Sequence, residues 1–278
     1  MSIVCDIVKR ERIVWVCTMN SVNKTLYIPL YGKAFVSRKG LFLKDEKAEE
    51  IWETEGFPLR GKSKSKWLAY YMGMRAAVFD DWVKDKMTEM PEAVVLHIGC
   101  GMDSRVLRVG TTQCKWYDVD FPEVIAERKR YFAETKQYWM LAGDIREPVW
   151  LTDIHCKRCI VVMEGVSMYL RQEELRAFMQ SLSDHFEEAV LLADFYSSFA
   201  AKMSKYKNPI NEVGVSAVYG VDDPWLFETG GWRFVKQHDM TPQRLIGELH
   251  GLEQTIFKRL YAGDFSKKLY KIFEYKKV

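Results

Sequence analysis

The chain has 278 residues, a length that fits one large α/β domain or one such domain carrying an appended cap. Apolar types make up 48% of it and charged types 28%, which supplies a substantial core and excludes the composition of a disordered chain. A formal charge of +3 lacks the concentrated basic surface of an obligate nucleic-acid binder, so nucleic acid is not expected as a partner.

Near the start, Ile3-Val4-Cys5 and Ile13-Val14-Trp15-Val16-Cys17 are apolar, but Asp6, Lys9, Arg10, Glu11 and Arg12 interrupt them. Neither a signal peptide nor a spanning helix fits there, and no membrane partner is expected. Cys5, Cys17, Cys100, Cys114, Cys156 and Cys159 are sparse, which suggests reduced thiols in a cytoplasmic protein. Residues 44–55 and 64–90 read as helices, the second from Trp67, Leu68, Tyr71, Val78, Phe79, Trp82 and Val83 at spacings of three and four. Pro91 ends that region.

From residue 93 short β-like runs alternate with amphipathic helices. Ala93–Ile98 is apolar on both faces, as a central parallel strand is. Lys115–Asp120 reads as a second strand and 122–135 as a helix with Pro122 in its first turn. Tyr138–Ala142, Cys159–Met163 and Ala189–Asp194 follow as strands, with the helix marked by Leu175, Phe178, Met179, Leu182 and Phe186 before the last. Residues 200–230, rich in Lys, Ser, Asn and Gly, lack a strong period and read as an insertion over a site. Trp232–Gln237 and Leu269–Tyr275 alternate as closing strands. The expectation is a single α/β domain over 1–278: a doubly wound, mostly parallel seven-stranded sheet. Residues 1–90 would form an N-terminal helical cap and 198–231 a lid.

In open α/β sheets ligands bind beyond the carboxyl ends of the strands. Gly99-Cys100-Gly101 follows the first strand at once, and glycine lets a ligand approach the backbone closely. Asp120 closes the next strand 19 residues after Gly101, where an acid accepts hydrogen bonds from ribose hydroxyls. The third glycine of a dinucleotide fingerprint is replaced by Ser104, which favours S-adenosylmethionine, a donor without phosphate, over NAD. Asp144, after the third strand, is placed to accept from an adenine amino group, and Glu164 ends the fourth strand in the same way. Each feature also has a plain reading: a strand-to-helix turn for the glycines, helix caps or surface ion pairs for the acids, and a solvated helix charge for Arg75.

Several stretches resemble the leucine carboxyl methyltransferase family and its bacterial polyketide O-methyltransferase relatives. They are Thr25-Leu26-Tyr27-Ile28-Pro29-Leu30-Tyr31-Gly32-Lys33-Ala34, Arg75, Gly99-Cys100-Gly101-Met102-Asp103-Ser104-Arg105, Tyr117-Asp118-Val119-Asp120-Phe121-Pro122, Glu164-Gly165-Val166-Ser167-Met168-Tyr169-Leu170 and Gly231-Trp232. The resemblance spans roughly residues 25–275, essentially one domain. It implies an S-adenosylmethionine-dependent O-methyltransferase in which Gly99 and Gly101 line the cofactor, Asp120 holds its ribose, and Asp144 with Ile145 frames the adenine. Arg75 would meet the methionine carboxylate, Glu164 would sit near the donor's amino-acid end, and Lys33 would match a cofactor-contacting basic residue. The C-terminal part is shorter than in the family's eukaryotic members, so protein phosphatase specificity is not assumed.

Methyl transfer from a sulfonium is an in-line displacement that needs alignment and exclusion of water, not a metal or a covalent nucleophile. The acceptor would be a carboxylate or phenolic oxygen of a small molecule or peptide, with Arg105, Arg171 or Tyr196 available to orient it. No catalytic residue is assigned. Cys156 and Cys159 have the spacing of half a zinc site with no second pair following, and His97 within the first strand reads as a hydrogen-bonded core histidine. The competing functions are an NAD-binding Rossmann oxidoreductase and a catalytically silent binding protein of the same fold.

Overall fold

A computed structural model describes residues 26–278 apart from 56–58, 60, 112–113 and 208–217. The apolar runs before residue 20, Thr25 and the middle of the 198–231 segment therefore lie outside the described residues. Seven strands form one sheet: β1 Val94–Ile98, β2 Lys115–Asp120, β3 Tyr138–Ala142, β4 Arg158–Met163, β5 Glu188–Tyr196, β6 Trp232–His238 and β7 Tyr270–Lys277. Their order is β3-β2-β1-β4-β5-β7-β6, and only β7 runs antiparallel to its neighbours. The doubly wound, mostly parallel seven-stranded sheet is as the alternating pattern predicts. Strand order reverses between β1 and β4, so the crevice for a ligand opens beyond Ile98 and Met163.

Helices cover both faces. On one side lie α1 Tyr27–Arg38, α2 Glu46–Glu55 and α3 Lys66–Glu89, packed on a face that includes Val95, Ile160, Val162 and Leu192. On the other, α6 Gln172–His185 lays Leu175, Phe178, Met179 and Leu182 against Leu96, Val161, Met163 and Leu191. The period-two split of β1 and β4 between two cores is why both strands are apolar throughout.

The remaining helices are α4 Arg105–Val109, α5 Pro122–Arg128, α7 Ser198–Lys207, α8 Gln243–Ile246, α9 Gly251–Tyr261 and α10 Asp264–Leu269. Three features differ from the sequence expectation. The helix over 122–135 stops at Arg128, because successive turns at Arg130, Tyr131 and Phe132 swing Phe132 into the core. The segment after β5 begins with α7 rather than a loop, and Gly220 then bridges back to Tyr196. Finally, α1 and α8–α10 are not among the expected elements; α1 buries most of its residues, and the latter helices are short or exposed. Among the described residues, no helix is long and apolar enough to cross a membrane.

Candidate active site

The carboxyl ends of β1 to β4 open into one cavity of about 1120 Å³, which Arg75, Gly99, Gly101, Asp120, Asp144, Ile145 and Glu164 all line. The turn after β1 sets its floor. Gly99 and Gly101 have φ of 62° and 50°, the left-handed region that side chains disfavour. A Cβ on Gly99 would also lie 2.3 Å from Val166 Cγ2, so glycine there lets the turns after β1 and β4 touch at the point of strand reversal.

Asp120 ties this turn to β2. Its two carboxylate oxygens accept the Gly101 amide at 2.7 Å and the Phe121 amide at 2.8 Å. Partial burial pushes its carboxyl up to about 6, and the two amides pull in the other direction without prevailing. Asp120 thus fixes the glycine turn and faces the cavity, rather than capping the side chain end of α5, which begins after Phe121 without a side-chain cap. Asp144 sits at the cavity rim, bound by Arg146 Nε at 3.0 and 2.9 Å and by the Arg146 amide at 2.9 Å. Burial alone would raise its carboxyl, but the Arg146 bonds outweigh that and hold it below the ordinary value. Its backbone carbonyl accepts Trp150 Nε1 at 3.1 Å, and Ile145 beside it is buried.

Beyond the glycine turn the cavity meets a set of buried charges. Glu164, at the end of β4, lies 3.0 Å from Arg75 Nε, 3.6 Å from Lys33 Nζ and in contact with Arg105 Nη2. Burial would raise its carboxyl, yet these three cations hold it well below the usual carboxylate range. Lys33 also pairs with Asp103 at 3.0 Å. Arg75 reaches Asp194 Oδ2 at 3.0 Å and the Tyr270 hydroxyl at 2.7 Å. The sequence pattern thus brings Arg75, Lys33 and Glu164 together from α3, α1 and β4.

Two residues suggested for orienting an acceptor are placed elsewhere. Arg105 is fully buried beneath the floor, held by Asp80 at 2.8 Å, by His97 and by Glu164, and does not line the cavity. Arg171 lies on the surface at the start of α6, where its backbone amide and its guanidinium both donate to the Glu174 carboxylate three residues on. Tyr196 does line the cavity, its ring 5.0 Å from that of Tyr270. His97 is a core histidine: Nδ1 donates to Asp118 Oδ1 at 2.9 Å and Nε2 accepts from Arg105 Nη1 at 3.1 Å, the tautomer that an arginine partner requires. Burial lowers its pKa, which keeps the ring neutral. Cys159 is buried within β4, and Cys156 lies beside the Glu92 and Arg158 carbonyls.

Sequence reasoning missed Asp80, Asp103, Arg108, Asp194 and Tyr270. Asp194 carried a readable signal, an acid near the end of β5 in the same relation as Glu164 to β4. Asp80 lies five residues after Arg75 on the same helix, with no local feature to mark it as buried.

The strand order with its antiparallel β7, and the rim of glycine turn and acids, define the architecture of class I S-adenosylmethionine-dependent methyltransferases. The chain belongs to the leucine carboxyl methyltransferase family, whose model matches residues 17–183. It is accordingly a methyltransferase whose methyl donor is S-adenosylmethionine.

It is 26% identical over 246 residues to the tetracenomycin polyketide synthesis O-methyltransferase TcmP of Streptomyces glaucescens, covering 86% of this chain and 90% of that protein. It is 25% identical over 237 residues to the S-adenosyl-L-methionine-dependent methyltransferase dpfgK of Gibberella zeae, covering 76% and 79%. Among solved structures, a DUF574 family protein from Streptomyces avermitilis shares the fold with a TM-score of 0.54 at 10% identity, over 84% of this chain and 89% of that one. Magnesium protoporphyrin IX methyltransferase from Synechocystis, with bound S-adenosylhomocysteine, does so with a TM-score of 0.50 at 13% identity, over 84% and 93%.

Proposed function

We propose that this protein is an O-methyltransferase that moves the methyl group of S-adenosylmethionine to a carboxylate or phenolic oxygen of a small-molecule or peptide acceptor. The observation that carries this reading is one cavity with two kinds of wall. Its inner part is bounded by the glycine turn, the acids and the buried cations. Its outer part is bounded by Leu68, Tyr71, Tyr196, Phe199, Met203 and Phe265. At about 1120 Å³ it exceeds the roughly 300–1,000 Å³ of a pocket for one ligand, which leaves room for an acceptor beside a donor.

The residues fit the donor group by group. The backbone at Gly99 and Gly101 permits close approach, Asp120 would accept from the ribose hydroxyls, and Asp144 with Ile145 would frame the adenine. Arg75 and Lys33 would face the carboxylate and Glu164 the ammonium. Ser104 stands where a dinucleotide fingerprint has its third glycine, which disfavours NAD. When bound, S-adenosylmethionine supplies an electrophilic methyl group on a sulfonium. The chain's part is to hold the donor's charged end, exclude water and align the acceptor oxygen. We read the described parts of residues 1–90 as a helical cap and of 198–231 as a lid of one methyltransferase domain: α1 and α3 line the inner cavity, and Phe199 and Met203 of α7 stand at its mouth with more than half their surface exposed. TcmP, by its name, is an O-methyltransferase of polyketide synthesis, which supports an oxygen as the acceptor atom.

The test is incubation with methyl-labelled S-adenosylmethionine and pools of carboxylic acids, phenols and amines, followed by mild base. A methyl ester releases labelled methanol, whereas an aryl methyl ether retains its label. Label found on nitrogen would overturn the reading.

A further inference from the structure

The antiparallel strand β7 begins at the rim where the parallel strands end, so its first residue, Tyr270, reaches the cavity from a direction that none of β1 to β5 supplies. Its register partner on β5 is Tyr196, and two residues earlier on that strand Asp194 meets the Tyr270 hydroxyl, so that Asp194 and Tyr270 close a ring of hydrogen bonds around Arg75. Arg75 Nη1 donates to Asp194 Oδ2 at 3.0 Å and to the Tyr270 oxygen at 2.7 Å, while the Tyr270 hydroxyl donates to the same Asp194 oxygen. Asp194 Oδ1 takes the Gly165 amide at 2.7 Å, and the Asp194 carbonyl accepts from Ser167 Oγ. One carboxylate thus joins α3, β7 and the turn after β4.

Both Nη1 hydrogens and the Nε hydrogen of Arg75 are committed to these partners and to Glu164. Nη2 lies 3.0 Å from the same Glu164 oxygen that Nε uses, which engages at most one of its two hydrogens. The Nη2 edge therefore keeps an N–H in a group that lines the cavity, and a guanidinium pinned on its other edges presents that donor in one orientation. Asp194, Tyr270 and Arg75 are all buried, so water does not share the work of holding the fork.

Resting on the S-adenosylmethionine site proposed above, we infer that Tyr270 and Asp194 are positioning residues for the donor's amino-acid end: they aim the Nη2 edge of Arg75 at the α-carboxylate. The arrangement separates recognition of the amino-acid end from recognition of the nucleoside, which falls to Gly99, Gly101, Asp120, Asp144 and Ile145.

The experiment compares two ligands by calorimetry on the full chain. S-adenosylhomocysteine carries the α-carboxylate; 5′-methylthioadenosine carries the same nucleoside and sulfur without it. Tyr270→Phe keeps the ring that packs on Tyr71 and Tyr196 and removes only the hydroxyl. It is expected to weaken S-adenosylhomocysteine about tenfold while 5′-methylthioadenosine changes by less than about twofold. Asp194→Asn, which keeps the shape and an oxygen for the Gly165 amide, is expected to give the same selective loss and serves where the phenylalanine variant folds poorly. Unchanged S-adenosylhomocysteine affinity in both folded variants would overturn the inference. A parallel loss for both ligands would also overturn it, since that is the signature of a merely structural role. A wild-type protein that binds neither ligand would overturn the cofactor site itself together with this inference.

Discussion

Replacing Asp120 with asparagine tests the join between the glycine turn and the cofactor site. The wild-type carboxylate accepts two backbone amides, at 2.7 and 2.8 Å, one on each oxygen. Asparagine retains one acceptor oxygen and turns an NH2 toward the other amide, so one hydrogen bond to a charged acceptor is lost, worth about 1.5–3 kcal/mol. Relief of the penalty for burying a charge offsets part of this, which places the net loss of stability at about 1–2 kcal/mol.

The ligand responds more sharply, because an amide offers one oxygen where the ribose hydroxyls need two. Affinity for S-adenosylhomocysteine should fall by about tenfold to a hundredfold. The sign of the pH effect follows from the direction of the shift. The folded carboxyl titrates at about 6, above its unfolded value, so the folded state holds the proton more tightly. This group's contribution to stability therefore declines as pH rises from about 4 to about 6 and is constant above. Binding runs the other way: the ionised form accepts the hydroxyls, so affinity should weaken as pH falls below about 6, and the asparagine variant should lose that dependence. Calorimetry from pH 5 to 8 on both proteins, with urea unfolding alongside, reads all three quantities. A variant that binds within about twofold of wild type, or keeps the pH dependence, would refute the reasoning.

Gly99→Ala combines a φ of 62° with a Cβ 2.3 Å from Val166 Cγ2, and should lose about 2 kcal/mol or more in urea unfolding. Adding Val166→Ala should recover the steric part and leave about 1 kcal/mol of backbone strain; strict additivity of the two changes would count against the contact. His97→Leu removes two hydrogen bonds to charged partners, and a loss of about 3 kcal/mol is expected at pH 8. In the wild type the lowered pKa of His97 means that the unfolded chain takes up its proton first. Stability from this group is thus present above about pH 6.5 and is lost as pH falls below it, a slope the leucine variant should lack. Arg171→Ala should leave both stability and S-adenosylhomocysteine affinity unchanged, since Arg171 lies in solvent. A marked loss of methyl transfer with that variant would restore Arg171 as an acceptor-orienting group.

The sheet was legible because β1, β4 and β5 are buried on both faces and so form continuous apolar runs, bounded by turns. The inner site was legible for the same reason that it works: it lies at strand ends, where Gly99, Asp120, Asp144 and Glu164 fall at fixed places relative to readable strands. The charges beneath it were not. Arg105 and Arg108 follow the glycine turn on a five-residue helix too short to show a period, and their partners Asp80 and Asp45 come from segments distant in sequence. Arg105 looked available because nothing local marks an arginine as buried; its partners come from α3 and β4. Tyr270 was hidden by the direction of β7, since only the antiparallel pairing with β5 brings the start of that strand to the rim.

The most direct test of the central claim is calorimetric titration of the purified chain with S-adenosylhomocysteine and, separately, with NAD. Saturable binding of S-adenosylhomocysteine at one site per chain, with no heat from NAD beyond dilution, is the result expected from the turn at Gly99 to Gly101 and the carboxylates around it. Binding of NAD with none of S-adenosylhomocysteine would contradict the account.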